Sequence, residues 1–122
     1  MGRDVLIIED EPNIVEVIRF ILSRDGWRVS THSDGRTAFD KLCLKQPDVV
    51  ILDVMLPGRS GFDILRDIRG QQDFASLPVL MLTAKGQERD REMAENLGAT
   101  QFMTKPFSND AVLSAVRDMA PL

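Results

Sequence analysis

Val49-Val50-Ile51-Leu52-Asp53-Val54-Met55-Leu56-Pro57-Gly58 runs from an unbroken apolar tetrad through a single acid into a turn. Apolar residues without polar alternation mark a strand covered on both faces, as in parallel sheets flanked by helices. Residues 5–8 and 79–82 repeat the pattern. Between the first two runs, Ile14, Val17, Ile18, Ile21 and Leu22 follow the spacing of a helix with one apolar stripe, with Pro12 suited to its first turn and Gly26 to its end.

Outward from these anchors the same alternation continues. Residues 28–32 predict a strand near a sheet edge, followed by a helix carrying Ala38, Phe39, Leu42 and Cys43. Pro57-Gly58 and Ser60-Gly61 form a turn-rich loop before a short helix with Ile64, Leu65 and Ile68. Residues 87–97 predict a polar helix held lightly by Met93, Ala94 and Leu97. A last strand over 100–104 precedes Pro106, and Ser108 can cap a final helix bearing Val112, Leu113, Val116 and Met119. Five β-α units in succession imply an α/β fold: a doubly wound five-stranded parallel sheet with right-handed crossovers and helices on both faces.

The 122 residues suit a single domain over 1–122, with no repeat or linker and no output domain expected in this chain. A formal net charge of -4 argues against direct binding to nucleic acid or to an anionic membrane, which are held by clustered Lys and Arg. Cys43 is the only cysteine, so no internal disulfide forms. Met1-Gly2-Arg3-Asp4 opens no signal peptide, Leu6 stands where myristoylation needs Ser or Thr, and no apolar run reaches transmembrane length. A cytoplasmic setting is expected.

Polar residues interrupt the strands at their carboxyl ends: Glu9, Asp10 and Glu11 after the first, Asp53 after the third, Thr83 after the fourth and Lys105 after the fifth. In an open α/β sheet those ends share one edge, where ligands bind. Singly, each has a plain structural use as a helix cap, a turn residue or a solvated cation. Together they do not. Two carboxylates about 6 Å apart repel by roughly 3 kcal/mol at an effective dielectric near 20, so this edge needs a cation or a proton. An oxygen-only donor set favours a hard ion such as Mg²⁺, with Asp10 and Asp53 as direct ligands. The Lys105 ammonium and Thr83 hydroxyl would complete a setting for a phosphoryl group, with Asp53 as the carboxylate nucleophile.

These residues, in this order, resemble the receiver domains of two-component response regulators over essentially the whole chain. The resemblance rests on Glu9-Asp10-Glu11, on residues 53–58 with Gly61, on Thr83-Ala84 and on Lys105-Pro106-Phe107. It implies the flavodoxin-like strand order 2-1-3-4-5 and a phosphorelay in which Asp53 accepts a phosphoryl group from a histidine kinase or phosphotransfer protein. It further implies Mg²⁺, with Mn²⁺ as a substitute, bound by Asp10, Asp53 and the Met55 backbone carbonyl, with Glu9 acting through a metal-bound water. Thr83 and Lys105 would contact the phosphoryl oxygens, and Lys105-Pro106 would be cis. Phe102 sits where the family has a switching aromatic, usually Tyr; a plain core aromatic is an equal reading of it. Glu9 likewise stands where Asp is more frequent, and Met55 and Lys85 flank the pocket where phosphoryl lifetime is tuned.

Such a protein is a signalling phosphoacceptor rather than an enzyme for external substrates, although it can catalyse its own phosphorylation and dephosphorylation at Asp53. Its output would pass through helix 4, strand 5 and helix 5 to an effector protein or a linked output domain, or drive a phosphorylation-dependent homodimer. A haloacid-dehalogenase-like phosphohydrolase normally carries a second Asp where Met55 stands. A flavodoxin-like cofactor binder would need Ser, Thr and Gly where Glu9-Asp10-Glu11 stand. A degenerate receiver acting only through protein contacts is the third alternative.

Overall fold

The apolar tetrads become the three central strands of the sheet. The computed structural model describes residues 3–84 and 88–120; Lys85, expected beside the pocket, and Gln87, expected to open the fourth helix, lie outside the described residues. In chain order the elements are β1 (Asp4–Ile8), α1 (Pro12–Arg24), β2 (Arg28–His32), α2 (Ala38–Lys45) and β3 (Val49–Asp53). There follow α3 (Gly61–Gly70), a 3₁₀ turn (Gln72–Phe74), β4 (Val79–Thr83), α4 (Glu88–Asn96), β5 (Gln101–Thr104) and α5 (Asn109–Met119). The strands are all parallel in the order β2-β1-β3-β4-β5, as the sequence implied. The 3₁₀ turn was not anticipated; it buries Phe74, whose ring meets Phe39 edge to face at 6.2 Å.

Strand geometry turns consecutive side chains to opposite faces, and this divides the interior in two. Leu6, Ile8, Val50, Leu52, Val79 and Met81 pack under α2, α3 and α4, whereas Val5, Ile7, Ile51, Leu80 and Leu82 pack under α1 and α5. Both layers draw on the same tetrads, which is why those tetrads are apolar at every position. The outermost β2 and β5 have no fully buried residue.

The helices follow the predicted stripes with two corrections. On α1, Ile18 and Leu22 are buried but Val17 is 43% exposed, because the stripe is narrower than five apolar residues suggest. On α4 only Ala94 is buried among the described residues; Met93, predicted as an anchor, is 42% exposed and Leu97 packs beyond the helix end. Ser60 and Ser108 cap α3 and α5 by accepting hydrogen bonds from the Asp63 and Ala111 amides at 3.3 and 3.0 Å.

At the amino edge of the sheet, Asp25 joins three segments. It pairs with Arg3 at 3.5 Å and with Arg117 of α5, while the Arg3 guanidinium stacks 4.7 Å above the Trp27 ring. The Arg117 hydrogen bond lowers the Asp25 pKa below its ordinary 3.8, further helped by the charges of Arg117 and Arg3.

Candidate functional site

Register brings the carboxyl ends of the strands level. Ile8 pairs with both His32 and Leu52, Asp53 with Leu82, and Thr83 with Thr104. The next residue along β1 is Glu9, and along β5 it is Lys105, so acids and ammonium meet above the sheet. Asp53 is itself the last residue of β3, not the residue after it as the sequence suggested. Its strand pairing is what fixes the carboxylate.

The connections hold these ends closely. The Glu9 amide donates to the His32 carbonyl at 3.0 Å, Val54 to Leu82 at 2.9 Å and Lys105 to Thr83 at 2.7 Å. The Lys105-Pro106 bond is cis, as expected. The Gly61 amide donates to the Val54 carbonyl at 2.8 Å, and its α-carbon lies so close to Asp53 that a Cβ would collide with the Asp53 carbonyl oxygen. Only glycine permits α3 to start there.

The Lys105 ammonium is the hub. Its Nζ lies 2.8 Å from Glu9 Oε1, 3.2 Å from Asp53 Oδ1 and 3.3 Å from Glu11 Oε1. Asp53 and Glu9 are buried, at 2% and 1% exposure, and the Lys105 side chain is 9% exposed. Burial raises the Asp53 pKa, against the opposing pull of Lys105 and of hydrogen bonds from Lys105 and the Met55 backbone. Burial also raises that of Glu9, assisted by the Asp53 charge and resisted by Lys105. For Lys105, burial alone would lower the pKa, but Glu9 and Asp53 outweigh it and the ammonium is held charged.

One ammonium does not neutralise this group. Carboxylate oxygens of Glu9, Asp10 and Asp53 lie within 4.8 Å of one another. Glu9 Oε1 is buried without a well-aligned hydrogen-bond donor, despite its ion pair. A buried anionic oxygen lacking a directed donor, inside an all-oxygen cluster, fits a hard divalent cation. Asp10 reaches the cluster from an exposed position beside a cleft of about 450 Å³ that also touches His32.

Thr83 is buried at 2% exposure and borders a mostly apolar hollow of about 370 Å³ formed with Val54, Met55, Phe62 and Ala84. The Met55 side chain projects outward, 72% exposed. Phe102 stands apart on β5: it is half-buried against the layer under α4, with the Arg91 guanidinium 5.3 Å over its ring. Sequence reasoning gave no individual role to Glu11, which the structure brings to Lys105. Its position just before Pro12 is the available signal, since a residue there begins a helix with its side chain free to face the strand ends.

Across residues 5–117 the chain matches the response regulator receiver domain. The chain belongs to this family. It is similar to the chemotaxis protein CheY4 of Vibrio cholerae, at 29% identity over 98% of this chain and 99% of that one, with a TM-score of 0.90. The signal receiver domain of a Syntrophus aciditrophicus signal transduction histidine kinase is 33% identical over 98% of this receiver and 90% of that chain, with a TM-score of 0.89. The receiver domain of a Pseudomonas aeruginosa sensor histidine kinase, described with a magnesium ion coordinated in its active-site cleft, is 28% identical over the whole of both chains at a TM-score of 0.89. Membership decides against the phosphohydrolase and flavodoxin alternatives. It makes this receiver a signalling domain of two-component systems, with an acidic cluster at the carboxyl ends of its strands. Among the described residues no helix is long and apolar enough to cross a membrane.

Proposed function

We propose that this receiver accepts a phosphoryl group on Asp53 from a histidine kinase or phosphotransfer protein. The observation that carries the reading is the buried Asp53 carboxylate, hydrogen-bonded by Lys105 Nζ at 3.2 Å within a cluster of three carboxylates. A carboxylate needs no proton removed before it attacks. Asp53 Oδ forms the new bond to phosphorus as the donor nitrogen leaves, and that nitrogen takes its proton from solvent. In the reverse direction of signalling, water attacks the phosphorus and Asp53 leaves as carboxylate with inorganic phosphate.

Glu9, Asp10, Asp53 and the Met55 carbonyl would hold Mg²⁺ or Mn²⁺, with Glu9 reaching it through water. The ion would neutralise charge on the phosphoryl oxygens. Lys105 would donate to one of those oxygens and Thr83 to another, which is favourable only after phosphorylation and so biases the domain between two states. α4 is fixed by Ala94 alone among its buried residues, and mobile elements come from the weakly packed end of a structure. This supports an output surface of α4, β5 and α5, with Phe102 and Arg91 shifting together, read by an effector, a linked output domain or a second copy.

Intact mass after incubation with a small-molecule phosphodonor and Mg²⁺ should gain one phosphoryl group, and Asp53→Asn should gain none. No adduct with Mg²⁺ present would leave a receiver that works through protein contacts alone, and an undiminished adduct in Asp53→Asn would move the phosphoryl group to another residue; either result overturns the assignment to Asp53.

A further inference from the structure

Three features of Glu11 belong together. It is the residue before α1, where a Ser, Thr, Asp or Asn would accept from the first amides of the helix, yet its side chain makes no such cap. Pro12 follows it, so the first of those amides has no hydrogen to offer. The carboxylate instead turns across the mouth of the site to Lys105 Nζ at 3.3 Å, although 60% of the side chain is exposed.

Lys105 thus hydrogen-bonds two acceptors, Asp53 and Glu11, while touching Glu9 off the line of a hydrogen bond. Of the three donors of the ammonium, two are thus committed among the described residues, and the bond to Glu11 is the one Lys105 gives up if it turns wholly to Asp53 and a phosphoryl oxygen there. Glu9 and Asp53 are buried and cannot exchange Lys105 for water. Glu11 can, because its exposed carboxylate is rehydrated as the ammonium leaves.

We propose that Glu11 is a resting-state competitor for Lys105: it holds the ammonium toward the mouth and weakens the grip of the site on a phosphoryl group. Glu11 acts only through Lys105, so it is a positioning residue. The inference rests on phosphoryl acceptance at Asp53 and assigns to Glu11 a control over how strongly that state is held. The side chain alone is responsible, since the Glu11 backbone amide, which donates to Glu9 Oε2 at 3.1 Å, is retained in Gln and Asp substitutions.

Beryllofluoride with saturating Mg²⁺, followed by fluorine NMR, probes the phosphoryl-like state. Glu11→Gln should tighten its binding about threefold, the mid-range effect of a partly exposed ion pair. Glu11→Asp keeps the charge but shortens the reach, and should tighten binding similarly. Glu16→Gln removes a neighbouring exposed charge that pairs with Arg19 rather than Lys105, and should change little. In a Lys105→Ala background the Glu11→Gln effect should vanish.

Unchanged or weaker binding in Glu11→Gln overturns the inference. So does wild-type behaviour in Glu11→Asp, an equal shift in Glu16→Gln, or an effect that persists without Lys105, each of which means bulk charge rather than competition. Failure of the wild-type protein to bind beryllofluoride at all overturns phosphoryl acceptance itself, a result distinct from the others.

Discussion

Replacing Asp53 by Asn should make the metal-free protein more stable, although it removes a hydrogen-bonded ion pair. At an effective dielectric near 20, the Lys105 contact at 3.2 Å is worth about 5 kcal/mol of attraction. At the 4.8 Å limit of the acidic cluster, repulsion from Glu9 is about 3.5 kcal/mol, and that from the exposed Asp10 roughly half as much. These nearly cancel. What remains is the cost of keeping a charge at 2% exposure, which Asn does not bear, while Lys105 keeps Glu9 as a partner. The raised Asp53 pKa has the same origin. We expect a gain of about 1–2 kcal/mol at pH 7 without divalent ions, read as a midpoint about 4–8 °C higher in thermal unfolding.

The sign with pH follows from the same shift. A folded carboxyl with a raised pKa binds its proton more tightly than the unfolded chain does. Its contribution to stability therefore falls as pH rises from the ordinary 3.8 through the raised folded value. The advantage of Asp53→Asn should accordingly grow across that window and level off above it. Mg²⁺ should then stabilise the wild-type protein more than the variant and narrow the gap, by linkage to the folded state. An Asp53→Asn midpoint at or below wild type at neutral pH in EDTA would refute the balance drawn here.

Two further perturbations test the frame around the site. Gly61→Ala should lose about 3 kcal/mol or more and abolish phosphodonor adducts, because its Cβ has nowhere to go but into the Asp53 carbonyl; Gly70→Ala, with nothing within 4 Å, should gain about 0.5–1 kcal/mol in urea unfolding. Asp25→Asn should cost about 1 kcal/mol at pH 7, since Asp25 is held charged by Arg117 and Arg3. That pKa is lowered on folding, so the stabilisation is present above 3.8 and disappears as pH falls through the lower folded value. The two unfolding curves should converge in acid, and a gap that widens there would refute the assignment.

The strand ends were legible because burial on both faces leaves a parallel strand no room for polar residues until it emerges. Glu9, Asp53 and Thr83 therefore announced themselves as breaks in apolar runs, whereas Lys105 follows the half-buried, mixed β5; parallel topology placed all four on one edge. Exposure was less legible. Val17 and Met93 carry the right spacing for a core, but a helix against a sheet buries a stripe whose width depends on the neighbouring helices. Nor did spacing single out Glu11, whose partner lies 94 residues away and is reached only because β5 ends beside β1. The turn at Gln72–Phe74 was hidden among polar residues, its one informative side chain being Phe74.

The alternation of side chains along the strands has a consequence for exchange between relatives. Leu6 and Ile8 answer to α2, α3 and α4, whereas Val5 and Ile7 answer to α1 and α5, and no strand side chain serves both layers. The sheet is a partition, so its two halves are separable inheritance units. A chimera that takes α1, α5 and the strand residues beneath them from another receiver needs to reconcile its parts at the connecting loops, among them those above the carboxyl ends of the strands. In this chain the acids and the lysine sit in those loops and at those ends, on the seam between the two halves.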